Sequence, residues 1–444
     1  MVAEILNLRK VIIPVAVIGL AAILALTITD WGTTVAHYND MVRTDNFSVA
    51  FGSLAIIITG LVIALSSDYY KNEQNHISDY MAIIIFTLVG GLVLLSYSNM
   101  AMLFLGIEIL SLSLYVMAGS RKYDTSSNEA GLKYFLMGSF ASGFLLFGIA
   151  LIYGVTGSFH LEAINTYLAS ATTVSPLFYL GVLMLLVAIL FKVSAAPFHF
   201  WSPDVYEGSP ALITALMATL VKVVMFGAFY RLFSTAFGNL GDYTNWLIAL
   251  VAALTMVVGN LTALQQVNVK RLLAFSGIAH AGYLLLGILS ISTDATSALF
   301  YYSAAYALAT IAAFAVAIPV FQASGSELVS AFNGLGKRKP FMAAMLTMAL
   351  LSLAGIPPFA GFLAKYYIFS EAMSNGFFAL LLIAIVSSII GVYYYFKLIL
   401  AMYTEPTDEA VVVKFPWVYI VVASFCVLLS LILGLYPNPV IQLF

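Results

Sequence analysis

The sequence predicts an all-α polytopic membrane protein of about thirteen transmembrane helices, with two inverted five-helix repeats that each contain a proline-broken helix. Three observations lead there. Hydrophobic residues make up 62% of the chain and charged residues only 9%, against roughly 25% charged in soluble domains. Apolar runs of about 20 residues, each able to span a hydrocarbon core of about 30 Å, recur along the whole length. Prolines interrupt two of these runs at corresponding places, a pattern that marks transporter-type membrane sites.

In order, the runs are 11–29, 47–66, 80–97, 99–118, 131–155, 177–199, 211–233, 245–264, 272–290, 297–322, 341–372, 377–403 and 416–435. The connections between them are short and polar, leaving no room for an extramembrane catalytic domain. Charge tests the count. With the N-terminus on one side, the loops facing that side carry Arg9, Lys10, Lys71, Arg121, Lys122, Lys133, Lys270, Arg271, Lys337, Arg338, Lys339 and Lys414, and the other side carries only Arg43 and Arg231. The positive-inside rule makes the first side cytoplasmic, so the N-terminus is expected in the cytoplasm and the C-terminus in the periplasm. The first segment reads as a retained helix, since no small-residue cleavage site follows it.

The breaks fall at Lys192…Pro197 in the sixth run and at Gly355-Ile356-Pro357-Pro358 in the eleventh, with Lys365 two turns on. Taking runs three to seven and eight to twelve as blocks, each break lies in the fourth helix of its block. Five is odd, so the blocks are expected to be inverted. The expected organisation is N-terminal helices over 1–79, a first repeat over 80–233, a second over 245–403 and a C-terminal helix within 404–444.

Several chemistries are excluded. Cys426 is the only cysteine, which leaves no iron–sulfur cluster, zinc-thiolate site or internal disulfide. No histidine pair has metal-ligand spacing, and Gly334-Leu335-Gly336-Lys337 lacks the spacing and hydroxyl of a phosphate loop. The chain is expected to hold neither a metal nor a cofactor of its own.

What stands out is charge at membrane depth: Lys192, Lys222 and Lys365, with Glu108 supplying the opposite sign. Such groups are costly in hydrocarbon and usually mark an ion or proton route. A desolvated lysine loses proton affinity and a nearby carboxylate restores it. Moving one charge against roughly 150 mV takes about 3.5 kcal/mol. An opposite charge at about 6 Å and an effective dielectric near 20 contributes roughly 3 kcal/mol, so a Glu108–Lys192 pair that forms and breaks has the right scale. Duller readings stand beside these. The alternative for Lys192 is to bond carbonyls freed by Pro197, and for Lys365 to reach an interface; the proton-relay reading is favoured for both. His280 is either a relay or a satisfied buried histidine, and His199 is structural or an uptake point. Lys397 snorkels, Glu371 is exit-side or solvated, and most tyrosines belong to interfacial belts and packing.

The segments FLGIEILSLSLYVMAG, FKVSAAPFHFWSPDVYEGSP, GNLTALQQVNVKRLLAFSGIAHAGYLLLG and LSLAGIPPFAGFLAKYYIF resemble the signatures of antiporter-like membrane subunits. Within that set the wording, from about residue 45 onward, is most similar to the subunit N family of proton-pumping NADH–quinone oxidoreductases (respiratory complex I, NDH-1). The resemblance implies a translocase subunit whose polar axis, matched motif to motif, is Glu108, Lys192, Lys222 and Lys365, with His280 matching a family histidine. It also implies FMN, iron–sulfur clusters and quinone on partner subunits, and as neighbours an adjacent antiporter-like subunit and small membrane subunits in a lipid bilayer. Bacterial members usually have fourteen helices; thirteen are expected here, and the expectation is that the missing one is the first. The long lateral helix of the most distal sister subunit is absent too. Other readings of the same residues are a subunit of a multi-protein Na+/H+ antiporter or membrane-bound hydrogenase, or a non-pumping spacer. The lack of an Arg-rich, acid-poor presequence points to a bacterial inner membrane.

Overall fold

A computed structural model describes residues 8–71, 76–238, 240, 242–404 and 412–444. The N-terminal end used in the orientation argument, residues 1–7, and the 405–411 part of the C-terminal region lie outside the described residues.

Among the described residues, ten helices are long and apolar enough to cross a membrane. They are α1 (Arg9–Thr29), α2 (Asn46–Tyr69), α3 (Ile77–Ser96), α4 (Met100–Ala118), α5 (Thr125–Thr156), α9 (Ala211–Thr235), α10 (Asp242–Leu264), α12 (Thr293–Ser324), α15 (Phe378–Tyr403) and α16 (Trp417–Leu435). The remaining predicted spans fall on α7 (Pro176–Lys192), α11 (Val269–Leu286) and α13 (Pro340–Ala354). α7 and α13 are short because each stops at a proline break and the chain resumes as α8 (Trp201–Gly208) and α14 (Ala360–Ser374).

Two elements were not expected from the sequence. Between α5 and α7 lies a ten-residue helix, α6 (Leu161–Ser170), which buries Leu161, Ile164 and Leu168 and leaves its other face polar. A small antiparallel hairpin pairs β1 (Val35–His37) with β2 (Val42–Thr44), turning through Tyr38, Asn39 and Asp40, all at positive φ.

Apolarity on every face predicts burial on every face, and α9 and α12 meet that condition. Their hydrophobic windows are entirely buried, so they form the centre of the bundle, whereas that of α1 is only 6% buried and the helix lies at its edge. Glycines set the closest helix contacts, as expected where lipid offers no hydrophobic drive and packing must supply it. A Cβ on Gly90 of α3 would lie 2.5 Å from the Leu110 nitrogen of α4, and one on Gly259 of α10 would lie 2.6 Å from the Ala279 nitrogen of α11. Both members of the second pair stand 169 residues after the first.

Further details recur in the same way. Asn99 caps α4 and Asn268 caps α11. α5 and α12 each run 32 residues and end on a left-handed glycine, Gly157 and Gly325. The two breaks share three backbone bonds: Ser194 N to Phe191 O, Ala195 N to Leu190 O and Phe198 N to Ala195 O recur as Gly355 N to Ser352 O, Ile356 N to Leu351 O and Phe359 N to Ile356 O. The residue at the turn is left-handed in both, Ser194 at φ 61° and Gly355 at φ 83°.

Candidate functional site

The four intramembrane charges and His280 form a chain of local settings rather than one cluster. Glu108, half-buried on α4, accepts from the Ser142 hydroxyl of α5. One turn along α4, Ser111 accepts from Lys192 Nζ at 2.7 Å, and Tyr115 OH accepts from the same ammonium at 2.9 Å. Tyr115 also lies beneath that cation, 5.2 Å from Nζ to the ring centroid, a favourable cation–π distance. Among the described residues Glu108 and Lys192 form no ion pair within 4 Å; α4 serves both through different side chains. Lys192 does not bond the carbonyls at its own break, because Trp201 Nε1 takes Phe191 O at 2.9 Å.

Lys222 sits where α9 contains one π-turn, Met217–Val221. It is 3% exposed, and its Nζ donates to the Gly277 carbonyl of α11 at 2.5 Å. Lys365, on α14, folds back onto its break, donating to Ala354 O at 2.7 Å and to Ser388 Oγ at 2.8 Å. Its ammonium stands 5.3 Å from the Tyr283 ring centroid. Here a lysine does bond a carbonyl at the break. The two break-associated lysines are not equivalent, however. With the shared bonds in register, Lys192 aligns with Leu353 and Lys365 with Asp204.

His280 is held between two phenols, Nδ1 to Tyr302 OH at 2.7 Å and Nε2 to Tyr395 OH at 3.1 Å. Tyr395 OH also bonds Ser276 Oγ. Asn260 of α10 donates to Tyr283 OH at 3.1 Å and accepts from Tyr394 OH at 3.2 Å. Tyr302 and Tyr395 are thus buried partners of His280, Tyr283 lies beneath Lys365 and Tyr394 bonds Asn260, polar roles that an assignment to belts and packing missed. The signal was the run Tyr393-Tyr394-Tyr395 in mid-helix, away from either interface. Among the flanking candidates, His199 is buried with Nδ1 unpartnered. Lys397 donates to Gln266 O at 2.9 Å, and Glu371 accepts from Ser290 at 3.2 Å.

Lys192 tests one element of this geometry. Tyr115→Phe removes one of its two hydroxyl partners while keeping the ring, and Ser111→Ala removes the other. A buried hydrogen bond to a charged group contributes about 1.5–3 kcal/mol. Each single variant is expected to slow turnover modestly and the double variant strongly, as measured by coupled proton uptake.

At the end expected to face the cytoplasm, Asp204 of α8 joins Lys133 of α5 (3.0 Å) to Arg271 of α11 (2.7 Å), and Arg271 also binds Glu207 (2.8 Å). Asn268 links Glu207 to Glu327, and buried Lys270 binds Glu327 at 2.6 Å and Ser209 O at 2.8 Å. Burial works against the Asp204 charge, but hydrogen bonds from Arg271 and Lys133 outweigh it and hold its carboxyl below the usual 3.8. A depressed carboxyl contributes stability above its unfolded value and loses it as pH falls through the folded one. The contribution is therefore complete at neutral pH and is lost only in acid below about pH 4. Partly exposed pairs contribute up to about 1 kcal/mol each, so Asp204→Asn is expected to raise hydrogen exchange over 201–208 several-fold without unfolding the bundle.

The comparisons with known proteins agree with this architecture. The family described as NADH:quinone oxidoreductase/Mrp antiporter, TM, matches residues 98–391. NADH-quinone oxidoreductase subunit N of Flavobacterium psychrophilum is 47% identical over 443 residues, covering 100% of this chain and 97% of the relative. The subunit N of Flavobacterium johnsoniae is 48% identical over 99% of this chain and 96% of the relative. Among solved structures, a chain of respiratory complex I from Thermus thermophilus with bound aureothin superposes with a TM-score of 0.83 at 34% identity, covering 100% of this chain and 99% of that one. A chain of the Mrp complex from Dietzia sp. shares the fold, with a TM-score of 0.85 at 21% identity over 99% of this chain and 91% of that one. A model match over most of the chain and near-full-length identity close to one half leave one assignment: this chain belongs to the NADH:quinone oxidoreductase/Mrp antiporter transmembrane family, in its subunit N group.

Proposed function

We propose that the chain is a proton-translocating membrane subunit of an NADH–quinone oxidoreductase. Electrons pass from NADH through FMN and iron–sulfur clusters to quinone on partner subunits, and quinone chemistry biases a charge relay that reaches this chain through neighbouring membrane subunits. Lys192 and Lys222 hold the proton, Glu108 modulates Lys192, His280 relays, and Lys365 connects to the exit or the next subunit. The observation that carries this reading is Lys222. It lies at the centre of the bundle, bonded to one carbonyl, with no carboxylate within 4 Å among the described residues. A spacer would be more stable with an apolar side chain there.

Two five-helix units, 80–233 and 245–403, inverted relative to one another, are part of the proposal. The recurring glycine contacts, asparagine caps and break geometry support them. An inner-membrane orientation with the N-terminus cytoplasmic is supported by the cationic loops. Lys133, in the third turn of α5, and Arg271, in the first turn of α11, converge on Asp204 and so share one end.

The test is to purify the tagged chain in mild detergent and assay the eluate. Inhibitor-sensitive NADH–quinone reduction, with proton uptake after reconstitution, is the expected result. A redox-silent assembly of membrane subunits that exchanges Na+ for H+ would overturn the reading in favour of the antiporter.

A further inference from the structure

Gly277 separates Lys222 from the tyrosine cluster around His280, and it does so with no side chain. A Cβ placed there would lie 3.2 Å from Lys222 Cε, 3.5 Å from Lys222 Nζ and 3.1 Å from Tyr306 OH. The ammonium of α9 and the phenol of α12 therefore both border the one space that a side chain on Gly277 of α11 would fill. Both residues are buried, Lys222 at 3% and Tyr306 at 4% exposure, so no bulk water competes for either group.

Behind Tyr306 lies His280. Their ring centroids are 4.9 Å apart, and the two residues, with Tyr302, Ala305, Ser352 and Gly361, line a small space of about 10 Å³. That is room for a single water, and the hydroxyls of Tyr302, Tyr306 and Ser352 supply the two to four polar partners a buried water needs. Both nitrogens of His280 already face hydroxyls that accept hydrogen bonds, Tyr302 and Tyr395, so the ring has partners in its doubly protonated form.

We propose that Tyr306 is the group that takes the proton from Lys222, and that Gly277 is the window that lets it do so. The inference rests on the reading of Lys222 as a proton carrier. In the step, Lys222 Nζ swings from the Gly277 carbonyl into hydrogen-bond contact with Tyr306 through the space Gly277 leaves open, and one N–H bond of the ammonium breaks as an O–H bond forms at Tyr306. The former Tyr306 proton passes to a water in the cavity, and that water delivers a proton to His280 through Tyr302. Lys222 is left as the neutral amine, His280 becomes the imidazolium, Tyr306 ends as the neutral phenol, and no electron moves.

The test uses the complete reconstituted oxidoreductase, with assembly checked on native gels, and reads protons pumped per NADH and the solvent deuterium effect on pumping. Lys222→Ala is the reference. Tyr306→Phe removes only the hydroxyl; Gly277→Ala keeps every hydroxyl and obstructs the window. Each is expected to lower the pumping ratio at least tenfold. The double variant should be no worse than either single one, as for residues acting in one step. Wild-type pumping and isotope effect in Tyr306→Phe, with pumping abolished in Lys222→Ala, would overturn this inference alone. Normal pumping in Lys222→Ala would overturn the proton-carrier reading beneath it. Should Tyr306→Phe fail to assemble, Gly277→Ala decides, and normal pumping in it refutes the window.

Discussion

Lys222→Ala is expected to abolish proton pumping while leaving an assembled complex. General acid–base groups contribute about 10²–10⁴-fold to the steps they serve, so pumping should fall at least a hundredfold in reconstituted vesicles. Removing the side chain deletes one hydrogen bond, to the Gly277 carbonyl, which keeps its place within α11; the loss of about 1–3 kcal/mol is one that a bundle of this size tolerates. Lys222→Arg separates charge from proton release. Arginine keeps the positive charge but does not give up its proton in proteins, so this variant should be as inactive as alanine. Normal coupling in either variant would remove Lys222 from the relay.

Gly434→Ala is expected to have a large structural effect. The last helix, α16, crosses the second break so closely that a Cβ on Gly434 would stand 2.0 Å from Pro358 O, 2.7 Å from the Phe359 carbonyl carbon and 2.8 Å from Ala360 N. All three are backbone atoms, so no side chain can swing aside. Overpacking of this kind costs about 1–3 kcal/mol and more where backbone must shift. Because α14 starts at Ala360 and carries Lys365, the displacement also re-aims that lysine. The variant should show reduced subunit in membranes, earlier heat inactivation and weaker coupling together. Gly143→Ala, whose Cβ meets nothing within 4 Å, should be close to neutral, and equal damage from both would refute the packing argument.

Much of this protein is visible in its order of residues, because the bilayer imposes a simple rule. A chain crossing hydrocarbon must be apolar for about 20 residues and must satisfy its backbone internally. The spans, the two proline breaks and the isolated charges Glu108, Lys192, Lys222 and Lys365 follow from that rule. The helix Leu161–Ser170 was missed because it lies outside any apolar run. Its spacing of Leu161, Ile164 and Leu168 is the amphipathic signal that would have found it.

Partners are another matter. Lys192 is met by Ser111 and Tyr115, Lys222 by Gly277, Lys365 by Ala354 and Ser388, and His280 by Tyr302 and Tyr395. Serines, glycines and tyrosines recur throughout the chain, so nothing in their type singles these out. The ion network through Asp204 joins residues 64 to 71 positions apart, a distance at which periodicity carries no information. Composition and hydropathy decided that charges lie in the membrane and on which helices, since burial cost depends on local sequence. Only the packing of α9, α11 and α12 decided which groups face one another, because hydrogen bonding acts over about 3 Å and is set by helix contacts distant in sequence.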